Sequence, residues 1–591
     1  AAASISILFC FVCFCYCESI EFSAVYPVDE RFSSLHLLLE SSPNGQEIYL
    51  MTTNKQDNLT HTTLVTQNTP LMFEGNTRYR YQVSYINGTT VVEDFWRFLE
   101  PCRLQSTSED LLRTKYEYFQ QEENELGLCE VPILTKTAKT VPKPFYYDDN
   151  QVMTVSFIMS NKDLNGVIFN PNDQGETYVK ANMTLVSLTE RYNFESMKIR
   201  RAGGVSLTKY PYSYQIKFDR TDGDVTEEVV IKLKAYPLDY ERDEANIIAE
   251  KSSVDICTSV GAPINYVSLV RVIINGEFQG IYGMLEKVDN SFIERRWPYK
   301  EAQNSVGTLY KTQQAHWYLL TNSSWQEGIK DFCTREADSA SSCCTCYEND
   351  CDVDSDCNEF DDDDEVCQSL SCCECTWESN GSVDVQSANC AIQEPFQDFI
   401  QLGDTILEGS MADIKQILNS ESYIQSLLCS LAVMNADGYT YNGKNYYWYR
   451  DSVTGEFDLI LYDQDTSFTR QSYVNEHWTP YDWTMHGNLS DALFLPALLQ
   501  DSTLLEDYND LIQNFVRKFY RPDRAGPLYQ RMEVFANFIA KYNPARPGVQ
   551  YKTNGFIDWF ILPQSQRLFE QLNMQPLEAA ECASSNSCGA V

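Results

Sequence analysis

The apolar positions change period along the chain. From residue 20 to 103, β-branched and aromatic residues come in short runs such as EIYLMTTN, RYRYQVSY and TTVVEDFWRF, with ING (86–88) as a hairpin turn. They predict a small β-sandwich over 20–105. Residues 106–145 are polar and helix-prone, then Pro-containing, and read as a helical linker. Strand-like runs return between 146 and 330: SYQIKFDR, VSLVRVIINGEFQGIYGMLEKVD and GTLYKT, with NGEFQG as a tight hairpin. From 393 to 575 the spacing turns helical, as in DIKQILNSESYIQSLLCSLAVMNA and ALFLPALLQDSTLLEDYNDLIQNFVRKFY. A strand-rich half followed by a helix-rich half predicts an α+β fold with two lobes around a cleft.

Residues 331–392 break this pattern. Between 331 and 390 stand 11 Cys and 17 acidic residues against one basic residue, Arg335. The composition predicts a small disulfide-stapled insertion. Its CDVDSDCNEFDDDDE stretch has Asp at alternating positions, as a Ca²⁺ loop does. With Asp352 as position 1, however, Cys357 stands where such a loop needs Gly. A solvated acidic loop is the stronger reading and weak Ca²⁺ binding the alternative.

Composition narrows the function classes. With 43% hydrophobic residues the 591-residue chain can bury a large core, and its net charge of −39 speaks against a nucleic-acid partner. The opening AAASISILFCFVCFCYC reads as the back half of a signal peptide (1–19), and no other run reaches the ~18 apolar residues of a membrane span. Sequons at Asn58, Asn87, Asn182, Asn322, Asn380 and Asn488, with 21 Cys, favour a secretory route to the outside or the cell surface. Residues 576–591 form a tail.

The candidate chemistry lies in MNADGYTYNGKNYYWYRDSVTGEFDLILYDQDTSF (434–468). YYWYR, a turn at DSVTGE and FDLILYD read as a hairpin that returns the chain to its start. Asp437, Asn445 and Asp463 would then meet at one end. An Asp base, an Asn and a second Asp is the set with which kinase-like sites orient a hydroxyl nucleophile and hold Mg²⁺ on ATP phosphates. Asp465 is a further candidate for the metal or for loop geometry. The five His are scattered, without zinc spacing. A phosphate site also needs cations, and 197–220 supplies Arg200, Arg201, Lys209 and Lys217. Lys217 in the strand-like QIKF, paired with Glu286, is the expected phosphate clamp, with Arg201 beside it.

These segments resemble, in order, those of the spore coat protein H (CotH) kinase family. RRAGG…YSYQIKF, INGEFQGIYGMLEKVD, GTLYK, NADGYTYNGKNYYWYR, LYDQDTSF and LPALLQDSTLLEDYNDLI carry the resemblance, over roughly 150–540 without the insertion. It implies a two-lobed protein-kinase-like fold that uses ATP and Mg²⁺ to phosphorylate Ser/Thr of secreted or cell-surface proteins. Asp437 matches the catalytic Asp, and Asn445 and Asp463 the metal ligands. The Asp437–Asn445 loop is about three residues longer than the bacterial form, so Asn442 stays open as the ligand. Gly203 and Gly204 do not directly follow Arg201 as the family's Arg-Gly would have it, and Tyr462 stands where the family has Trp. Some fungal relatives are adhesins or invasins whose β-rich segment resembles 20–103. A cell-surface adhesin with little catalysis, docking a receptor or glycan through the sandwich, is therefore the alternative.

Overall fold

The computed structural model describes, apart from short internal breaks, residues 19–118, 126–312, 397–468 and 498–572, with Trp377–Glu378 and Val383–Ser387. The chain is mixed α+β. Two small sheets come first. In one, Ser19–Val25 lies between Thr60–Thr66 and Leu111–Thr114; in the other, Phe32–Ser41 lies between Gly45–Leu50 and Arg78–Tyr85. The hairpin at ING forms, with Gly88 at φ +82°. The segment read as a helical linker instead adds strands Leu104–Ser108, Leu111–Thr114 and Glu117–Tyr118 to the first sheet. Leu111–Thr114 and Glu117–Tyr118 pair in parallel with Ser19–Val25, a partner some 90 residues away in sequence that local helix propensity does not sense.

A closed barrel of seven strands follows: β1 (Met153–Ile158), β2 (Val179–Val186), β3 (Arg191–Ala202), β4 (Ser213–Asp222), β5 (Val225–Lys234), β6 (Val267–Ile274) and β7 (Glu277–Glu286). Its order is β1-β2-β3-β4-β5-β7-β6, and β6 closes on β1 in parallel. The NGEFQG hairpin joins β6 to β7 with Asn275 and Gly276 both at positive φ, as a two-residue primed turn requires. The pleat sorts β5: Val229, Ile231 and Leu233 enter the barrel core, so Val230, Lys232 and Lys234 face outward.

Between β5 and β6 comes helix α1 (Asn246–Val260), buried on nearly all sides. Its ionic residues are therefore paired. Lys251 lies 2.9 Å from Asp149, and Asp255 accepts from Arg531 at 2.9 Å. Beyond the barrel lie α2 (Asn290–Arg296) and a five-stranded sheet of β8 (Thr308–Thr312), β9 (Trp377–Glu378), β10 (Val383–Ser387), β11 (Tyr446–Arg450) and β12 (Phe457–Leu461), in the order β9-β10-β8-β11-β12. The Cys-rich stretch 313–376 lies outside the described residues, so the disulfide and Ca²⁺ readings of it do too. Val383–Ser387, within the stretch expected as the insertion, pairs with β8.

The helical part contains α3 (Gln397–Glu408), α4 (Met411–Ile417), α5 (Ser420–Val433), α6 (Tyr439–Asn442), α7 (Ser502–Lys518), α8 (Pro527–Tyr542), α9 (Val549–Phe556) and α10 (Leu562–Gln571). The DIKQ…MNA run breaks into α4 and α5 because Asn419 caps the second helix, accepting from Ser422 N. Helix α7 starts on an Asp501 cap and buries Tyr508, Leu511, Ile512, Phe515 and Val516, one face at helical spacing. A buried disulfide, Cys257–Cys429, ties α1 to α5. No described helix is long and apolar enough to cross a membrane.

Candidate active site

Helix α5 delivers the chain to Met434, which turns it out of the helix at φ +48°. The next residue, Asn435, is buried and ties two loops together. Its Nδ2 donates to Asp463 O at 3.0 Å and to Gln464 Oε1 at 3.1 Å. Its Oδ1 accepts from Asp437 N at 3.0 Å and from the Thr466 hydroxyl. One amide thus sets the loop of Asp437 against the loop of Asp463.

The hairpin β11–β12 forms as its sequence predicts, and Tyr462 N donates to Asn445 O at 3.2 Å at its base. Asn445 Nδ2 reaches Asp463 O at 3.5 Å, a long contact that leaves its amide oxygen to offer a cation. The one-turn helix α6 accounts for the long Asp437–Asn445 loop. Asn442 closes that turn, and Asn445 is the residue seen against Asp463. Six non-glycine residues have positive φ among the described residues, and four of them, Met434, Asn445, Asp463 and Phe468, lie in this stretch. Each such backbone costs roughly 1–3 kcal/mol, and such strain tends to gather where function needs a fixed geometry.

The cation comes from the barrel. Lys234, the last residue of β5, contacts Asp463 Oδ1, Asp465 Oδ2 at 3.0 Å and Glu250 Oε2 at 3.1 Å. Glu250 lies on α1, fully buried, and accepts a hydrogen bond from Tyr236 OH. Gly283, opposite Lys234, makes room for this: a Cβ there would sit 2.8 Å from Tyr236 OH. Burial alone would drive the Lys234 proton off, but Asp463, Asp465 and Glu250 outweigh it and raise its pKa well above the usual value. Burial likewise opposes ionisation of Asp463, yet Lys234, then Lys232 and Lys311, hold its carboxyl below the usual range. For Asp465 burial wins, helped by the charges of Asp463 and Glu250 against Lys234, and its pKa is pushed up to about 7. Three carboxylates share one ammonium, so the arrangement has electrostatic room for a further cation. Among the described residues no three His, Cys, Asp or Glu form a metal cluster. The donors on offer are two aspartates and an asparagine, all oxygen ligands of the kind a hard cation takes.

Asp437 is 43% exposed, with Lys444 Nζ 3.5 Å from its Oδ1. The structure thus brings Asp437, Asn445, Asp463 and Asp465 together. It does not join the expected cation half to them. Lys217 stands opposite Val230 on the outer face of the barrel, whereas Glu286 stands opposite Ile231, whose side chain enters the barrel. The pleat puts the two on opposite faces, so the expected pair cannot form. Glu286 is instead buried against Arg295 at 2.6 Å and Arg296 at 2.8 Å, and accepts from Tyr266 N. Burial opposes its ionisation, but the Arg296 and Arg295 guanidinia keep its pKa low. Arg201 is fully buried over the Tyr212 ring at 3.9 Å and donates to Asn170 O, so it braces the end of β3.

Lys234, Glu250, Asn435 and Lys444 were missed by sequence reasoning. The available signal was VVIKLK, a strand ending in alternate lysines, followed after a break by a helix with a glutamate in its second turn.

Comparison with curated proteins found no match. The family model for CotH kinase proteins matches residues 199–558, a span that includes Lys234, Glu250, Asp437, Asn445, Asp463 and Asp465 and exceeds half of the chain. The chain therefore belongs to the CotH kinase protein family.

Proposed function

We propose that this protein is a secretory-pathway kinase that transfers the γ-phosphoryl group of ATP to Ser or Thr of secreted or cell-surface proteins. Family membership implies kinase activity, ATP use and a protein substrate. On this reading 146–330 is the N-terminal lobe of a protein-kinase-like domain and 393–575 its helical C-terminal lobe. The two N-terminal sheets form a sandwich ahead of it, and a disulfide-rich insertion interrupts it. The Cys257–Cys429 bridge supports an oxidising compartment.

One observation carries the reading: a barrel lysine, Lys234, held by a helix glutamate, Glu250, meets the carboxylates of a strained loop. In a kinase that lysine pairs with ATP phosphates and the glutamate orients it. Asp437 accepts the proton of the acceptor hydroxyl as that oxygen attacks Pγ. The bond from Pγ to the bridging oxygen breaks and ADP leaves. Asn445, Asp463 and Asp465 supply the oxygens that would hold Mg²⁺, which when bound neutralises phosphate charge.

Calorimetry of ATP binding with and without Mg²⁺, and transfer of labelled phosphate to the protein itself or to casein, test the reading. Asp437→Asn should slow transfer by roughly 10²–10⁴-fold, the usual worth of a general base, with ATP affinity little changed. Asp463→Ala should remove Mg²⁺-dependent ATP binding. Normal transfer by Asp437→Asn would take Asp437 out of the chemistry.

A further inference from the structure

We propose that Asp149, ahead of the barrel, is a positioning residue for phosphoryl transfer: through Lys251 it fixes the rotation of α1 that keeps Glu250 on Lys234. The inference rests on the kinase reading above, in which Lys234 meets the ATP phosphates. It starts from a weakness of α1. Ile247, Ile248, Ala249, Val254, Ile256 and Cys257 are all buried, and at helical spacing they lie round the whole circumference. Burial of apolar surface is non-directional, so packing alone does not choose which residue of α1 faces the barrel. The charged residues of the helix do.

Glu250 meets Lys234 at 3.1 Å. Lys251, about 100° further round the helix, meets Asp149 at 2.9 Å. Asp255, one turn on, accepts from Arg531 of α8 at 2.9 Å. Lys251 and Asp255 also pair with each other, but that link turns with the helix and fixes nothing. Asp149 and Arg531 stand outside the helix and hold its rear face, and they lie 3.8 Å from each other. Burial opposes ionisation of Asp149, yet Lys251, then Arg531 and Lys143, hold its carboxyl below the usual range, so the charge is present.

The segment that carries Asp149 is itself anchored. Leu126 N donates to Asn150 O at 2.7 Å and Leu128 N to Asn150 Oδ1 at 3.0 Å, and both leucines enter the core that contains α1. Tyr147 OH donates to Val267 O at the start of β6. Leu134 N donates to Ser259 O at 2.9 Å at the end of α1. There the backbones run so close that a Cβ on Gly261 would sit 2.8 Å from Thr135 Oγ1. Asp149 precedes the matched span 199–558, so the helix of Glu250 takes its setting from outside that span.

The test is a double-mutant cycle of Asp149→Asn and Glu250→Gln. Steady-state transfer of labelled phosphate to casein is read with saturating ATP and Mg²⁺, well below the melting point of each variant. A misplacement of about 1 Å by a change far from the chemistry can cost 10²-fold. Asp149→Asn should therefore lower kcat by roughly 10–10²-fold while the KM for casein stays put. In the Glu250→Gln background the same change should lower kcat by less than about twofold, because the residue it acts through is already gone. Equal losses in both backgrounds would mark a general loosening of the fold, and no loss in either would leave Asp149 a counter-ion only. Each result overturns the positioning role and leaves the kinase reading intact. Where a variant fails to fold or to turn over, the wild-type chain decides, because coupling between two sites is reciprocal. ATP with Mg²⁺ should slow hydrogen exchange at the Leu126 and Leu128 amides by roughly fivefold or more. Unchanged exchange there would overturn the role. A wild-type chain that transfers no phosphate would overturn the kinase reading and this role with it.

Discussion

Lys234 and Asp437 belong to one candidate site, yet their side chains are 9% and 43% exposed. The barrel half, Lys234 with Glu250 and Tyr236, sits on a regular strand and a buried helix, and is held by charge pairing out of water. The loop half, residues 434–468, is held by backbone in the left-handed region and by the amide of Asn435. A buried ion set cannot be altered without cost to the fold, because each lost partner leaves a charge desolvated. An exposed base on a strained loop can be altered with little cost to the fold, because water replaces what it loses. In this molecule binding and stability should be entangled on the barrel side and chemistry should be separable on the loop side.

Lys234→Met tests that contrast where the effect should be largest. It strips the cation from three carboxylates. Breaking such a buried set costs about 3–5 kcal/mol, with the lower end expected because Asp463 and Asp465 are 31% and 27% exposed. Denaturant unfolding should show that loss, and calorimetry should show ATP binding gone. Lys217→Met, the same change on a neighbouring strand, should shift stability by less than about 1 kcal/mol and leave ATP binding in place. The reverse ranking would return Lys217 to the phosphate site. Asp437→Asn should leave the unfolding midpoint where it was, the opposite signature.

The disulfide sharpens the same point at a smaller scale. Cys257 and Cys429 close a loop of 172 residues and join the helix of Glu250 to the helix that leads into Asn435. Replacing both with Ala should cost roughly 2–4 kcal/mol of stability. Both helices also pack in one core, so they should keep their positions in the folded state. Turnover well below the new melting point should then stay near wild type. A large loss of turnover at unchanged stability would show that the bridge, rather than packing, positions Glu250.

The loop half was legible because its signal is local. Asp437, Asn445 and Asp463 lie within one hairpin, and the turn residues 451–456 announce how the chain returns. The barrel half was not, because its signal is a register. QIKF and VVIKLK look alike as strings. Which lysine faces the carboxylates depends on where β5 ends and on the cover of α1, and both follow from closure of the barrel. Glu250 was hidden for a related reason. α1 is buried nearly all round, so it lacks the polar face that marks a charged residue as special. The strands between 104 and 118 were misread because their partner is Ser19–Val25, far away in sequence.

The smallest effect concerns a buried carboxylate that has no lysine. Asp458 lies on β12, five residues before Asp463 and buried, but its partners are neutral: Trp297 Nε1 at 3.0 Å and Asn419 Nδ2 at 2.9 Å. Burial pushes its pKa up to about 7, against the help of the Trp297 hydrogen bond, and Asp451 and Glu456 add to the rise. The sign then follows from linkage. The folded state holds the proton more tightly than the unfolded chain, whose Asp titrates near 4, so stability falls as pH rises through that window. Between pH 6 and 8 the loss from this one group should be about 1 kcal/mol. Asp289, with a pKa near 6 through burial, and Asp465 bend the curve the same way, so the wild-type profile alone does not isolate Asp458. The difference between wild type and Asp458→Asn does, because the other groups titrate in both. Asn keeps the shape and one acceptor but has no proton to lose. Denaturant unfolding at pH 6, 7 and 8 should show wild type gaining on the variant by about 1 kcal/mol toward pH 6. A flat difference would mean that Asp458 is already ionised in the fold. Burial without a cation would then cost a carboxylate here far less than the contrast with Asp463 requires.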